Sequence, residues 1–279
     1  KQEAQAMAKV AHPNVVNVYE VGEYASPRGR SIFIAMEFVA GQSLEQWRIQ
    51  HGRHTAASLD ECLRLYLQAA AGLSAAHGSG LIHRDFKPSN VLLGNEGRVR
   101  VLDFGLARAT GSSSDEDLNL SLPASAKEPP RSSRPRLTAV GTILGTPGYM
   151  APEQIFGPEV DARSDQFSLC ASLYEAIYHI LPYGSDELEE YADSLLHSSL
   201  RPPPNRTGPV EVPLVVQSAL RRGLSINPAD RFPSMEALIA ELSKGLRADA
   251  DTQSARRLKQ ILVAVIATSL IVISASILW

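Results

Sequence analysis

The sequence predicts an α+β domain, a few strands followed by mostly helices, with a single membrane-spanning helix after it. Three observations carry this reading. Two apolar, β-prone runs, Val15–Val21 and Ser31–Val39, flank a turn-rich Ser-Pro-Arg-Gly-Arg segment. From Arg163 onward the apolar spacing is helical over 163–181, 186–197, 212–224 and 234–246, with breaks such as Pro202-Pro-Pro204. The last 19 residues, Ile261 to Trp279, contain no charge at all.

The elements follow in order. Residues 1–10 read as the end of an amphipathic helix that stops at His12-Pro13. Ser58-Leu-Asp-Glu61 matches a capping box, in which the Ser accepts from the helix start and the Glu reaches back. Behind it Leu59, Cys62, Leu63, Tyr66, Ala69, Ala70 and Leu73 recur on one helical face, and Gly78 and Gly80 end the helix. Cys62 lies on that stripe, and Cys170 on another with Leu173 and Tyr174, so both are expected in the core. Two short runs, Val91–Leu93 and Val99–Leu102, surround Asn95-Glu-Gly97 as a hairpin. Residues 109–136 hold seven serines and four prolines among mixed charges. Such a tract has too little apolar surface to offset ordering entropy and is expected to be a disordered loop.

Composition narrows the function. The 279 residues carry 27 Lys+Arg against 30 Asp+Glu, a net charge of −3, which argues against a general nucleic-acid binder. Two cysteines cannot make a disulfide framework or supply the four ligands of a zinc site. As a helix, the 19 uncharged residues would reach ~28 Å, close to the ~30 Å hydrocarbon core of a bilayer. Their polar members, Thr268, Ser269, Ser274 and Ser276, can bond back to the backbone. Arg256, Arg257 and Lys259 stand just before the run and favour the cytoplasmic side. The opening Lys-Gln-Glu-Ala-Gln segment is charged, not a signal peptide. The expected organisation is a catalytic domain over 1–246, a juxtamembrane linker over 247–260 and a transmembrane helix over 261–279. The domain is placed on the cytoplasmic side of the cell membrane, with a single pass.

The strongest chemical signal is His83-Arg-Asp-Phe-Lys-Pro-Ser-Asn90, followed by Asp103-Phe-Gly105. It sets a carboxylate, an ammonium and an amide in one loop, and a second carboxylate after the hairpin. Phosphoryl transfer needs such a set: a carboxylate to orient the attacking hydroxyl, a cation for phosphoryl oxygens and hard oxygen ligands for magnesium. Any three of these residues would match by chance; the octet together with Asp-Phe-Gly is specific.

These residues resemble those of the protein kinases, and among them the eukaryotic-like serine/threonine kinases of bacteria. Gly145-Thr-Pro-Gly-Tyr-Met-Ala-Pro-Glu153, Ser164-Asp-Gln-Phe-Ser-Leu169 and Pro228-Ala-Asp-Arg231 resemble further family segments. The resemblance implies a two-lobed fold, here a partial N-lobe with a complete, mostly helical C-lobe. It implies transfer of the γ-phosphate of ATP to Ser/Thr hydroxyls of proteins, with Mg2+ as the metal and Mn2+ as an alternative. Asp85 would accept the hydroxyl proton and Lys87 would meet the γ-phosphate. Asn90 and Asp103 would hold the metal. Met36 would be the gatekeeper, backbone groups of Glu37 and Val39 would meet adenine, and Leu92 would lie under the ring. Gly105 would permit the turn behind Asp103, and Phe104 would pack beneath the regulatory helix. Asp165 would brace the catalytic loop, although a carboxylate in a first helical turn is also favoured by the dipole alone. Arg231 would pair with Glu153.

Regulation is implied in the same way. Arg84 beside Asp85 resembles kinases activated by phosphorylation of a loop, with Thr138 and Thr142 as acceptors and Thr146 supporting substrate. Asp103 and Glu153 stand 50 positions apart, long for this segment, and the Ser/Pro tract is the insertion. A homodimer for trans-autophosphorylation is the partner arrangement the family suggests. The Gly-rich loop and the Lys-bearing strand are absent from these residues. Glu3 stands where the family's regulatory-helix Glu would pair with that Lys, so this chain alone is expected to be weak or inactive. The alternative reading is a pseudokinase-like membrane scaffold without turnover.

Overall fold

The computed structural model describes residues 10–26, 29–51, 56–104, 146–157, 159–184, 187–203 and 212–246. Glu3, Gly105, Thr138, Thr142, the 109–136 tract, the 247–260 linker and the 261–279 run lie outside them. No described helix is long and apolar enough to cross a membrane.

Two small sheets precede and flank a helical body. Strands β1 (Val18–Ser26) and β2 (Gly29–Met36) pair antiparallel. Strands β3 (Gly41–Ser43), β4 (Val91–Gly94) and β5 (Val99–Val101) form an antiparallel sheet in that order. The β4–β5 hairpin sits where Asn95-Glu-Gly97 predicts it, and Gly97 supplies the left-handed turn at φ +83°. The strand boundaries differ from the apolar runs at both ends. Val15 and Val16 belong to the second sheet: Val15 bridges Val101 in parallel, and the Val16 N–H donates to the Val101 carbonyl at 3.0 Å. One apolar run therefore serves two sheets, and β1 starts only at Val18. At the other end β2 stops at Met36, and one further bond in the same register, from the Glu37 N–H to the Asn17 carbonyl at 2.8 Å, closes the pairing.

The helices are α1 (Leu44–His51), α2 (Ala56–Gly78), α3 (Pro152–Phe156), α4 (Ala162–Tyr178), α5 (Leu188–Leu196), α6 (Leu214–Gly223) and α7 (235–246). Helix α2 begins two residues before Ser58, so the predicted capping box falls inside the first turn and is corrected. Its stripe of Leu59, Cys62, Leu63, Tyr66, Ala69, Ala70 and Leu73 is buried as the spacing requires. Each large apolar side chain removed from water there contributes about 1.5–3 kcal/mol. Gly72 allows the tightest approach on this helix, since a Cβ there would run into the Asn14 backbone carbonyl.

Helix α4 is buried on nearly every side and packs against α2 and α6. Its buried polar residues are only partly satisfied: Ser168 Oγ donates to the Ser164 carbonyl at 3.1 Å and Gln166 Nε2 to the distant Phe232 carbonyl at 3.1 Å, while Gln166 Oε1 and Ser172 Oγ have no partner among the described residues. Asp161 caps its start by accepting from the Arg163 N–H at 2.7 Å, and His179 ends it in the left-handed region at φ 58°. Cys62 on α2 and Cys170 on α4 are both buried, and burial pushes the Cys170 thiol up to about 12 and the Cys62 thiol further still. Neither is a nucleophile, as the sequence stripes anticipated.

Candidate active site

The site grows from the loop between α2 and β4. Gly80, at φ +76°, turns the chain off α2, and Pro88–Asn90 forms a single 3₁₀ turn into β4. The loop between them is held from below by Asp165, which α4 carries in its first turn and which is 0% exposed. Asp165 Oδ2 accepts from the His83 N–H at 2.8 Å, and Oδ1 accepts from the Arg84 N–H at 2.9 Å. His77 Nε2 reaches the same Oδ2 at 2.7 Å. A buried carboxylate is costly unless its lone pairs are filled, and three donors fill them here. The dipole of α4 adds to the bracing that the sequence implied.

His83 is buried with Nε2 2.8 Å from the Leu102 carbonyl, while its Nδ1 accepts from the Asp85 N–H at 3.3 Å. Burial holds its pKa below the usual histidine value, against the opposing pull of Asp165. The ring is therefore a neutral imidazole with its proton on Nε2, tying the loop to the end of β5. Phe104 packs on it with ring centroids 4.8 Å apart, and Phe86 meets it edge-on at 5.7 Å. The regulatory helix expected above Phe104 falls mostly on residues outside the described ones.

Asp85, Lys87 and Asn90 come together as the octet requires. Lys87 Nζ lies 3.0 Å from Asp85 Oδ2, and the Asp85 side chain is 34% exposed, open to a substrate. Asn90 Nδ2 donates to the Asp85 carbonyl at 2.9 Å and to its Oδ2 at 3.3 Å. That geometry commits the amide nitrogen and leaves Asn90 Oδ1 as an available oxygen. The Leu102 N–H donates to the Asn90 carbonyl at 3.1 Å, which brings Asp103 beside it. Asp103 adopts φ 60°, a left-handed conformation rare outside glycine, and its carboxylate has no hydrogen-bond partner among the described residues.

One amide oxygen and one free carboxylate fit a magnesium ion, which uses few protein ligands and keeps waters and substrate phosphates as the rest. A cage of three or more His, Cys, Asp or Glu is absent among the described residues, and such a site does not need one. A cavity of about 570 Å³ beside β3, β4 and α2, lined by Gln42, Arg64, Gln68 and Asn95 among others, shares no residue with this site.

The segment expected to meet adenine joins the two sheets. Met36 is 37% exposed at the end of β2. The Glu37 N–H is already committed to Asn17, so of its backbone groups only the carbonyl remains for a ligand, which narrows the sequence expectation. The Val39 N–H has no described partner. Leu92 sits between Val91 and Leu93 on β4 and faces away from the core that Val91 and Leu93 join. Sequence reasoning missed how Glu37 is held. Arg100 Nε pairs with Glu37 Oε1 at 2.9 Å, Arg100 Nη1 donates to Glu96 Oε1 at 2.5 Å, and Asn17 Nδ2 donates to Glu37 Oε2 at 3.1 Å. Arg100 is 8% exposed, so this charge is buried only because it is paired.

The far side of the site is anchored by Glu153 and Arg231, paired as expected. Arg231 is 2% exposed and uses its whole fork. Nη1 and Nη2 meet the two Glu153 oxygens at 2.6 and 2.8 Å, and the carbonyls of Ser225, Arg163 and Ile226 take the other bonds at 2.9, 2.9 and 3.3 Å. Burial would raise the Glu153 pKa, but the Arg231 bonds and charge and the Ser164 hydroxyl outweigh it and hold the carboxyl below its ordinary value. Thr146 precedes the 3₁₀ turn Pro147–Tyr149, and no described hydrogen bond joins it to Asp85 or Lys87. Tyr149 Oη donates to Glu175 Oε2 at 2.6 Å, and Arg48 Nη2 pairs with Oε1 of the same Glu at 3.2 Å, fixing this segment to α4 and α1.

A family model described as protein kinase domain matches residues 1–241. The chain is 36% identical over 251 residues to serine/threonine-protein kinase pkn3 of Myxococcus xanthus, covering 87% of this chain and 41% of that protein. It is 35% identical over 246 residues to tyrosine-protein kinase MasK of Myxococcus xanthus, covering 85% and 34%. It is 34% identical over 256 residues to serine/threonine-protein kinase PksC of Streptomyces coelicolor, covering 91% and 42%. The chain thus spans less than half the length of these relatives.

Proposed function

The chain belongs to the protein kinase domain family, and from that premise we propose that it transfers the γ-phosphate of ATP to serine and threonine hydroxyls of proteins. The observation that carries this is the cluster of Asp85, Lys87 and Asn90, with Lys87 3.0 Å from the Asp85 carboxylate. Around it are the Asp103 carboxylate, without a partner among the described residues, and the brace from Asp165.

The residues divide the work by charge. Asp85 accepts a hydrogen bond from the incoming hydroxyl and fixes its line of attack. Because the transition state is loose, this orientation matters more than basicity, and the proton arrives late. Lys87, held by the same carboxylate, offers its ammonium to the phosphoryl oxygens where negative charge collects. A lysine at this place supports serine and threonine hydroxyls over tyrosine. Asn90 Oδ1 and Asp103 would hold magnesium, whose chemistry is to neutralise phosphate charge. The Glu37 carbonyl and Val39 N–H offer adenine an acceptor and a donor, with Met36 beside them and Leu92 on the cleft side of β4.

The rest of the proposal concerns regulation and place. Phosphorylation of Thr138 or Thr142, read by Arg84, would order the loop before Thr146, and a second copy of the chain would catalyse that transfer from ATP. Residues 261–279 would anchor the domain at the cytoplasmic face of the cell membrane. The test of the central reading is phosphate transfer from ATP to Ser/Thr peptides by the longest natural polypeptide containing these residues. Transfer abolished by Asp85→Asn, with nucleotide binding retained, is expected. A wild-type polypeptide that binds partners at the membrane but never transfers phosphate would establish the scaffold instead.

A further inference from the structure

The peptide unit joining Arg84 to Asp85 is held at more points than the catalytic loop alone provides. Arg84 lies at φ 66°, a conformation that needs outside support in a residue with a side chain. Its own N–H is taken by Asp165 at 2.9 Å. The next peptide's N–H, that of Asp85, donates to His83 Nδ1 at 3.3 Å. The carbonyl of that same peptide, the Arg84 oxygen, accepts from Gln154 Nε2 at 2.5 Å. Gln154 comes from α3, 70 positions away in sequence, and its other end is committed too, since Oε1 accepts from the Ala151 N–H at 2.8 Å. This second contact fixes which way the amide points: reversed, it would set an oxygen against the Arg84 carbonyl and a donor against the Ala151 N–H. The residue before it, Glu153, is locked to Arg231, so the backbone that carries Gln154 is anchored.

We propose that Gln154 is a positioning residue for phosphate transfer, holding the Arg84 carbonyl so that Asp85 presents its carboxylate at one angle. The proposal rests on the phosphotransfer reading of Asp85. Rotation of the Arg84–Asp85 peptide swings the Cα–Cβ bond of Asp85 and with it the oxygen that orients the hydroxyl. Lys87 and Asn90 hold the carboxylate itself but not the peptide plane behind it, which His83 and Gln154 hold from opposite edges. Through Gln154, the segment Thr146–Phe156 and the catalytic loop move as one piece. A change at the end of the long loop therefore reaches Asp85 without touching it.

Three variants in the full-length polypeptide separate positioning from mere helix capping. Gln154→Glu keeps the acceptor for Ala151 and loses the donor; Gln154→Lys keeps a donor and loses the acceptor; Gln154→Met loses both. Loss of the donor is expected to lower kcat about tenfold in the Glu and Met variants, with KM for ATP within about twofold of wild type. The Lys variant keeps most of its kcat although its melting temperature falls, whereas the Glu variant, which keeps the Ala151 cap, melts no lower than the Lys variant. Amide hydrogen exchange at Asp85 reads the clamp without any turnover, and it is expected to quicken in the Glu and Met variants only. If kcat follows melting temperature across the three, or if the Glu variant keeps wild-type kcat and exchange, the proposal is wrong. If the wild-type polypeptide transfers no phosphate, the phosphotransfer reading falls and the proposal with it. Exchange at Asp85 then still shows whether Gln154 grips the peptide.

Discussion

Removing the Glu153 carboxylate strands a guanidinium in the interior, and the size of that effect follows from the contacts. Of the five bonds Arg231 makes, two go to Glu153, at 2.6 and 2.8 Å, and three go to backbone carbonyls. Glu153→Ala leaves the carbonyls in place but takes away the only counter-charge Arg231 bonds among the described residues. A buried charge deprived of its partner costs about 3–5 kcal/mol. For a domain of this size that corresponds to a fall in Tm of about 6–20 °C. Arg231→Met is expected to cost a similar amount, because it frees the Glu153 oxygens and three carbonyls at once. The double variant, Glu153→Leu with Arg231→Met, is expected to lose less than the sum, with a coupling of about 2–3 kcal/mol. Urea unfolding of each variant at pH 7.5 measures these quantities. The pH dependence has a definite sign. The Glu153 pKa is lower folded than its ordinary 4.5, so its stabilisation is complete above that value and fades as pH falls through the folded pKa. Glu153→Gln is less stable than wild type at neutral pH, and the gap between the two closes in acid. Single variants that each cost under about 1 kcal/mol and simply add would refute the reasoning.

The other predictions concern packing, the hinge and the anchor. Gly72→Ala pushes a methyl into the Asn14 carbonyl, a backbone atom that cannot swing aside. It is expected to destabilise by about 1–3 kcal/mol in urea unfolding, the reverse of the usual gain for this change in a helix. Arg100→Met removes the counter-charge of Glu37 and leaves the Asn17 contacts alone to hold this segment, so the affinity for an adenine nucleotide, read by calorimetry, is expected to fall about threefold to tenfold. Deletion of 260–279 is expected to move the polypeptide from the membrane to the soluble fraction; persistence at the membrane would reject the anchor.

Local chemistry was legible in the sequence wherever neighbours in the chain are also neighbours in space. The octet His83–Asn90 folds on itself through Lys87 and Asn90, and the Asn95-Glu-Gly97 hairpin forms where its turn residues stand. The Glu153–Arg231 pair was reachable only through the family resemblance, since 78 positions separate the two. His77, Arg100 and Gln154 were not legible, because each acts on a residue far along the chain and no local pattern marks it. Arg100 reads as an ordinary polar position in a strand until the fold sets it beside Glu37. Likewise the apolar run Val15–Val21 looks like one strand because hydrophobicity alone does not record which of two sheets a residue pairs with. The start of α2 differed for a similar reason: Ser58 is a good cap, but a helix can begin before a good cap.

The two cysteines of the chain, Cys62 and Cys170, turn the core into its own reporter. One sits on α2 and the other on α4, helices packed against each other, and both thiols are buried and protonated. A disulfide reagent in water reaches each thiol only when the packing around it opens, so the labelling rate counts openings. At reagent concentrations where closing outruns reaction, the rate gives the free energy of opening at each helix. Equal values at the two thiols would mean that α2 and α4 open together. A faster Cys62 would mean that α2, which carries His77 and leads into the catalytic loop, swings out while α4 stays in place. No foreign label has to be engineered for that measurement.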